Sequence, residues 1–313
     1  MEYNSIQDFK SNYTHVYHKE VVPLLAPYEK ERRKTKRNFN FLTIIVLILF
    51  ALLGLSFFGI LGESFQRTPV LFLFMAPIVI CIFCMSWMTK NFENKLKAGI
   101  MPKLMKAFGD FVWTSAEVID KYTLKDTRIF SRFDYKDNDD SFFGTYKGLT
   151  ININETELYY YTKDSKGRRQ KHTEFKGVVV EIDVKKPFKG HTIIRNRGFF
   201  NDRAYQEVKL EDPEFSKLYY VDANDQIESR YLLTPSFMER YKHIKTAFGG
   251  SSIQGSFKDN KLILAISTYR DLFKLGNLSR PVSDTKQFTA LLNEFISILA
   301  IVDELKLNRN IGL

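Results

Sequence analysis

Cysteine is almost missing from this 313-residue chain: there are two, Cys81 and Cys84, both inside an apolar run. Nothing after Met88 is cysteine, which excludes a disulfide scaffold for the larger part of the protein. The Cys-x-x-Cys spacing suits redox or metal chemistry. Its neighbours here are Ile, Phe and Met, with no other soft ligand nearby, so the pair reads as helix packing. No metal and no cofactor is expected.

Catalytic signatures are missing too. The chain holds no Gly-x-Ser-x-Gly, His-Glu-x-x-His, Gly-x-Gly-x-x-Gly or Walker A pattern. Beyond the apolar block only His172, His191 and His243 occur, each alone in sequence. Asp137–Asp140 lacks the glycine and the closing glutamate of an EF-hand loop and reads as a solvated loop. One acid/base arrangement stays open, Asp225 with Glu228 and Arg230, the last two alternating along a strand. A structural ion pair beside a helix cap at Thr234 accounts for the same residues, so an enzyme is not the favoured reading. The net charge is +10, yet no concentrated basic face or recognition motif accompanies it, and a nucleic-acid partner is not expected. The surplus is spread on both sides of the apolar block, which suits a domain held near an anionic leaflet.

What is present is a pair of apolar runs, Phe41–Leu61 and Val70–Met88, without a single charge. The first, about 21 residues at 1.5 Å each, is long enough to cross a hydrocarbon core. Pro77 predicts a kink in the second, and Trp87 sits where aromatic side chains favour an interface. Lys30, Arg32, Arg33, Lys34, Lys36 and Arg37 precede the first run, and Lys90, Lys95, Lys97 and Lys103 follow the second. The connecting Gly62–Pro69 holds only Arg67 against Glu63. The positive-inside rule then predicts an integral protein of the inner (cytoplasmic) membrane with two spans and both termini cytoplasmic.

The flanks read as helix. Ile6, Phe9, Tyr13, Val16, Tyr17 and Val21 recur at helical spacing across Ser5–Val22, which Pro23 stops or kinks. Asn91–Val112 resumes that spacing, interrupted at Pro102, and the two flanking segments are expected to pair as continuations of the hairpin. Residues 1–38, 39–89 and 90–110 thus form a cytoplasmic flank, a transmembrane hairpin and a membrane-proximal helix, and 111–313 a cytoplasmic α+β domain. In that domain a helix is predicted to end near Tyr122. Strands are predicted at Gly148–Ile153, Glu157–Thr162, Phe175–Val184, His191–Arg195, Glu207–Leu210 and Tyr219–Val221, with a hairpin of Ser252–Phe257 and Lys261–Ser267. Asp212 and Thr234, each followed by proline, predict helix starts, and Asp284–Leu305 is amphipathic. Successive strands with helices at the ends argue for a largely antiparallel sheet. The hairpin tip Lys163–Lys171 carries Lys166, Arg168, Arg169 and Lys171, of which Arg168, Arg169 and Lys171 are candidate contacts for anionic lipid headgroups or a partner. A solvated tip explains the same charges.

The segments LEDPEF (Leu210–Phe215) and DQIESRYLLTPSFMER (Asp225–Arg240), with FKG at Phe175–Gly177, KPFKGHT at Lys186–Thr192 and FGTYKG at Phe143–Gly148, carry a resemblance. The chain resembles the bacterial family of domain-of-unknown-function 3137, two-span membrane proteins without an established activity. The resemblance implies a membrane-anchored architecture and no catalytic residues. The favoured expectation is therefore a membrane-tethered interaction module for a membrane or cytosolic protein partner or for anionic lipid. The alternative is a membrane-anchored enzyme using Asp225, Glu228 and Arg230.

Overall fold

The structure, a computed structural model, describes residues 6–57, 68–185, 188–198, 205–248 and 250–305. Two compact units form. One comprises His15–Leu104 with Lys274–Thr289, the other Met1–Thr14, Met105–Phe273 and Ala290–Leu313.

The first unit is built on two long helices, α2 (Leu25–Phe57) and α3 (Thr68–Met105). A π-helical turn at Tyr17–Val21 and a 3-10 turn at Val22–Leu24 lead into α2 from α1 (Ile6–Val16). They carry the chain past Pro23, which has no N–H to give. The helices pair antiparallel: Lys95 Nζ lies 2.8 Å from Glu31 Oε1, and a Cβ on Gly99 would collide with the Tyr28 hydroxyl. The expected interruption at Pro102 does not occur, and α3 runs through both Pro77 and Pro102. Ile100, Met101, Leu104 and Met105 are buried around Pro102, and that packing outweighs one lost backbone bond. The helix runs on to Met105, and a 3-10 turn over Lys106–Phe108 follows it, closed by Gly109, whose φ of 80° a side chain would resist. By length and apolar composition α2, α3 and α8 (Thr285–Leu305) are each sufficient to cross a membrane, but half of the apolar window in α8 is buried within the fold against 6% in α2 and α3. Phe41, Leu47 and Phe83 stand 63%, 62% and 71% exposed, a cost water would not tolerate over so wide a surface.

The second unit is α+β. Among the described residues, nine antiparallel strands run in the order β1-β2-β3-β4-β9-β8-β5-β7-β6. They are β1 (Val112–Thr114), β2 (Tyr135–Tyr146), β3 (Leu149–Lys163), β4 (Arg169–Asp183), β5 (Thr192–Asn196), β6 (Gln206–Glu207), β7 (Tyr219–Ala223), β8 (Ser252–Lys258) and β9 (Lys261–Ser267). Around it lie α4 (Lys121–Asp126), α5 (Pro213–Leu218), α6 (Gln226–Leu232) and α7 (Pro235–Phe248). Gly177–Ile182 is buried without alternation, so both faces of the sheet are covered. One face packs Ile129, Phe130, Phe133, Leu158, Phe175, Val179 and Ile263 together. Elsewhere in this unit Phe295 meets Phe108, Phe111 and Phe142 at ring-centroid distances of 4.4, 5.1 and 5.3 Å. Phe9 adds a contact at 5.6 Å to Phe108, which puts the aromatic stripe of α1 on its own protein.

Three further expectations need correcting. Asp137–Asp140 is not a loop; it lies in β2, whose pairing with β3 overrides the poor strand propensity of aspartate. The helix expected up to Tyr122 is replaced by β1 and by α4, capped by Asp120 accepting from Tyr122 N and Thr123 N at 2.7 and 2.9 Å. The strand expected at Glu207–Leu210 shortens to Gln206–Glu207.

Candidate functional site

Where the charged start of α2 gives way to its apolar half, α2 and α3 leave a groove of about 900 Å³ between them. Lys30, Lys34, Arg37 and Asn38 line it from α2, Trp87 and Asn91 from α3. Helical geometry puts the three cations on one face, at i, i+4 and i+7. Their neutrality fails because both nearby acids are taken. Glu29 holds Arg32 at 2.8 Å and Arg33 at 2.9 Å, and Glu31 holds Lys95. Glu29 also accepts from Val282 N at 3.0 Å, while Arg32 donates to the Leu278 carbonyl at 2.6 Å, stapling the segment before α8 to α2. The Arg32 hydrogen bond, the largest of these influences, helps hold the Glu29 carboxyl down at about 2. Among the described residues no acid pairs with Lys30, Lys34 or Arg37. Trp87 is 61% exposed at the groove and Phe41 begins the apolar surface one turn beyond it.

The residues singled out in the sequence lie elsewhere. Glu228 and Arg230 sit on a helix, α6, with Asp225 as its N-cap, and the expected alternation along a strand is wrong. Seven residues are too few for a period of two to be told from one of 3.6, and Asp225 decides the matter as the cap. Its carboxylate accepts from Ile227 N at 3.0 Å and Glu228 N at 2.9 Å. The ion pair expected between Glu228 and Arg230 does not form either. Glu228 is buried and accepts from Lys189 N at 2.7 Å and Gly190 N at 2.6 Å, while Arg230 is exposed. Beside this latch His191 N donates to Asn224 Oδ1 at 2.7 Å, and a Cβ on Gly190 would press on Asn224 and Asp225. The motif around Phe188–Thr192 is thus joined to the motif starting at Asp225 and to Asn224 just before it.

At the β3–β4 tip the predicted cations are largely engaged. Arg168 Nε lies 2.8 Å from Asp164 and Lys171 Nζ 2.8 Å from Glu157. Arg169 stacks over Tyr161 at 4.1 Å and Lys171 over Tyr159 at 3.9 Å. His191 Nε2 lies 2.9 Å from Ser256 Oγ, but both are buried, and burial drives the imidazole down to about 4, so the pair is a neutral core contact. Asp212 caps α5, accepting from Glu214 N at 2.8 Å, and Thr234 caps α7, accepting from Phe237 N at 3.2 Å.

The joint at Gly190 and Glu228 and the caps of α5 and α7 are all built from the motifs that carry the resemblance. Residues 173–307 match the family described as "Protein of unknown function (DUF3137)". This stretch is a DUF3137 segment. Within it Asp212, Asp225 and Thr234 cap helices and Glu228 latches a loop. No curated protein matches the chain. Among solved structures it is similar to the crystal structure of the mycobacterial trehalose monomycolate transport factor A, TtfA, at 12% identity, with 64% of this chain and 90% of that chain covered and a TM-score of 0.34. A score that low carries neither fold nor function across to the DUF3137 segment.

The groove was open to sequence reading in one respect: the spacing of Lys30, Lys34 and Arg37 is visible in the run YEKERRKTKR. Which of the interleaved acids would be engaged elsewhere is not.

Proposed function

We propose that the chain is an integral protein of the cytoplasmic membrane, crossing it twice through the α2–α3 hairpin with both flanks on the cytoplasmic side. Its α+β unit is a tethered binding module without catalytic chemistry of its own. The ligand supported best is the headgroup of an anionic phospholipid, taken by Lys30, Lys34 and Arg37 in the groove beside Trp87. The observation that carries this reading is the row of cations lacking an acidic partner at the margin of a wide exposed apolar surface. Each such cation near an anionic surface contributes about 1 kcal/mol, so three supply roughly a hundred-fold in affinity. Arg169 at the β3–β4 tip remains available to a protein partner. An enzyme working through Asp225, Glu228 and Arg230 gains no support from this geometry, since both carboxylates are already engaged by backbone N–H groups.

The test is native mass spectrometry of the full chain released from nanodiscs containing phosphatidylglycerol. The wild type is expected to retain one or more anionic lipids, and Lys34→Glu with Arg37→Glu to lose them while Lys163→Glu keeps them. Equal retention by all three proteins, or none by any, rejects the groove as a lipid site.

A further inference from the structure

Strand β2 does not pair evenly with β3. Asn138 faces Thr156, and pairing resumes with Ser141 facing Asn154. Asp139 and Asp140 are left together opposite Glu155, two residues against one, as in a β-bulge. One carboxylate oxygen from each of Asp139, Asp140 and Glu155 lies within 4.8 Å of the others. Asp139 is exposed and the other two are buried.

Clustered acids alone indicate nothing, since solvated aspartates gather on many surfaces. Glu155 is different. It is only 7% exposed; Oε1 accepts from Leu272 N at 2.9 Å, while Oε2 is buried with no hydrogen-bond partner among the described residues. A buried carboxylate oxygen left empty is costly, and a second carboxylate beside it raises the cost. Asp140 is held in place by Trp113, whose Nε1 donates to its Oδ1 at 2.7 Å.

We propose that Asp139, Asp140 and Glu155 bind a hard divalent cation of the calcium or magnesium class. The donors are all carboxylate oxygens, with no imidazole or thiolate among them, which suits hard cations over zinc or copper. Asp139 stands at the exposed mouth, giving an ion a way in, and the empty Oε2 of Glu155 supplies the inner donor. Because Oε1 of the same carboxylate holds Leu272 N, ion binding ties the bulge in β2 to β3 and to the chain beyond β9. The proposal does not depend on the membrane reading.

Trp113 reports on the site. The chain has two tryptophans, so Trp87→Phe leaves it as the only indole. The full chain in that background, stripped with EDTA in detergent, is titrated with Tb³⁺ and then with Ca²⁺ or Mg²⁺, and melted with and without each cation. Expected are indole-sensitised Tb³⁺ emission, its displacement by millimolar Ca²⁺ or Mg²⁺, and a rise in Tm of several degrees with the displacing ion. Glu155→Gln and Asp139→Asn are expected to lose all three responses. Asp139 is exposed, so its variant retains the fold even where Glu155→Gln does not. No emission and no shift with either cation overturns the proposal and leaves a proton as the neutralising charge, as does a response that survives Asp139→Asn unchanged.

Discussion

Glu29 and His191 give the two units separate responses to acid. The Glu29 carboxyl is held at about 2, below its ordinary 4.5, with the Arg32 hydrogen bond the leading cause. In the unfolded chain it binds its proton first, so the stability it contributes is complete above about pH 4.5 and is lost as pH falls through about 2. Its side chain keeps 21% of its surface exposed, and solvent screening trims the contribution to about 1–2 kcal/mol. Glu29→Gln should flatten the stability of the helical unit between pH 5 and 2, followed by helical circular dichroism. His191 is also held below its ordinary value, at about 4 against 6.5, by burial first and then by the charge of Lys258. Its contribution is complete above about pH 6.5 and lost as pH falls through about 4, a window worth about 3 kcal/mol. His191→Gln, which can still reach Ser256, should remove that step from the urea midpoint plotted against pH. A midpoint still falling between pH 6.5 and 4 in the variant would assign the step to another group.

Elements of the sheet depend on single backbone positions. Gly177 in β4 faces Ser267 in β9, and a Cβ there would collide with the Ile266 carbonyl oxygen. Gly177→Ala must therefore open the β4–β9 ladder at the centre of the sheet, with an expected cost of about 3 kcal/mol or more. Gly167 at the hairpin tip also has a positive φ, 76°, but a Cβ there meets nothing within 4 Å. Gly167→Ala should cost only about 1 kcal/mol, from backbone strain alone. Thermal melts of the two variants check the contrast, and equal costs would mean that the sheet relaxes around the new methyl group. The short helix α6 makes the same point about context. Glu228 fastens it to Lys189 and Gly190, so Glu228→Ala strips two buried N–H groups of their acceptor and should cost about 2–4 kcal/mol.

At the scale of the molecule, the proposed two-span topology makes its own prediction. Tags in Gly62–Pro69 and at the C-terminus, probed with an impermeant reagent on intact cells, should label only the first. Labelling of the C-terminus would invert the orientation and separate the groove from a cytoplasmic leaflet. The last helix has Thr285–Thr289 in one unit and its remainder in the other. A segment distant in sequence can join a unit through hydrogen bonds, as Leu278 and Val282 do with Arg32 and Glu29.

The sequence by itself determined the features set by local chemistry: the two uncharged apolar runs, the caps at Asp212 and Thr234, the hairpin tip after Lys163, and the α+β class with an antiparallel sheet. Proline, glycine, capping side chains and hydrophobic period act within a few residues, so they are legible one window at a time. Only the tertiary structure decided that Asp137–Asp140 is strand, that Asp225–Arg230 is helix, and that Glu228 serves a loop thirty-eight residues away. It alone set Asp139 and Asp140 against Glu155, and left Lys30, Lys34 and Arg37 without acidic partners among the described residues. Each of these depends on which distant groups meet, and for a buried carboxylate or an idle lysine the partner that arrives, or fails to, settles the energy.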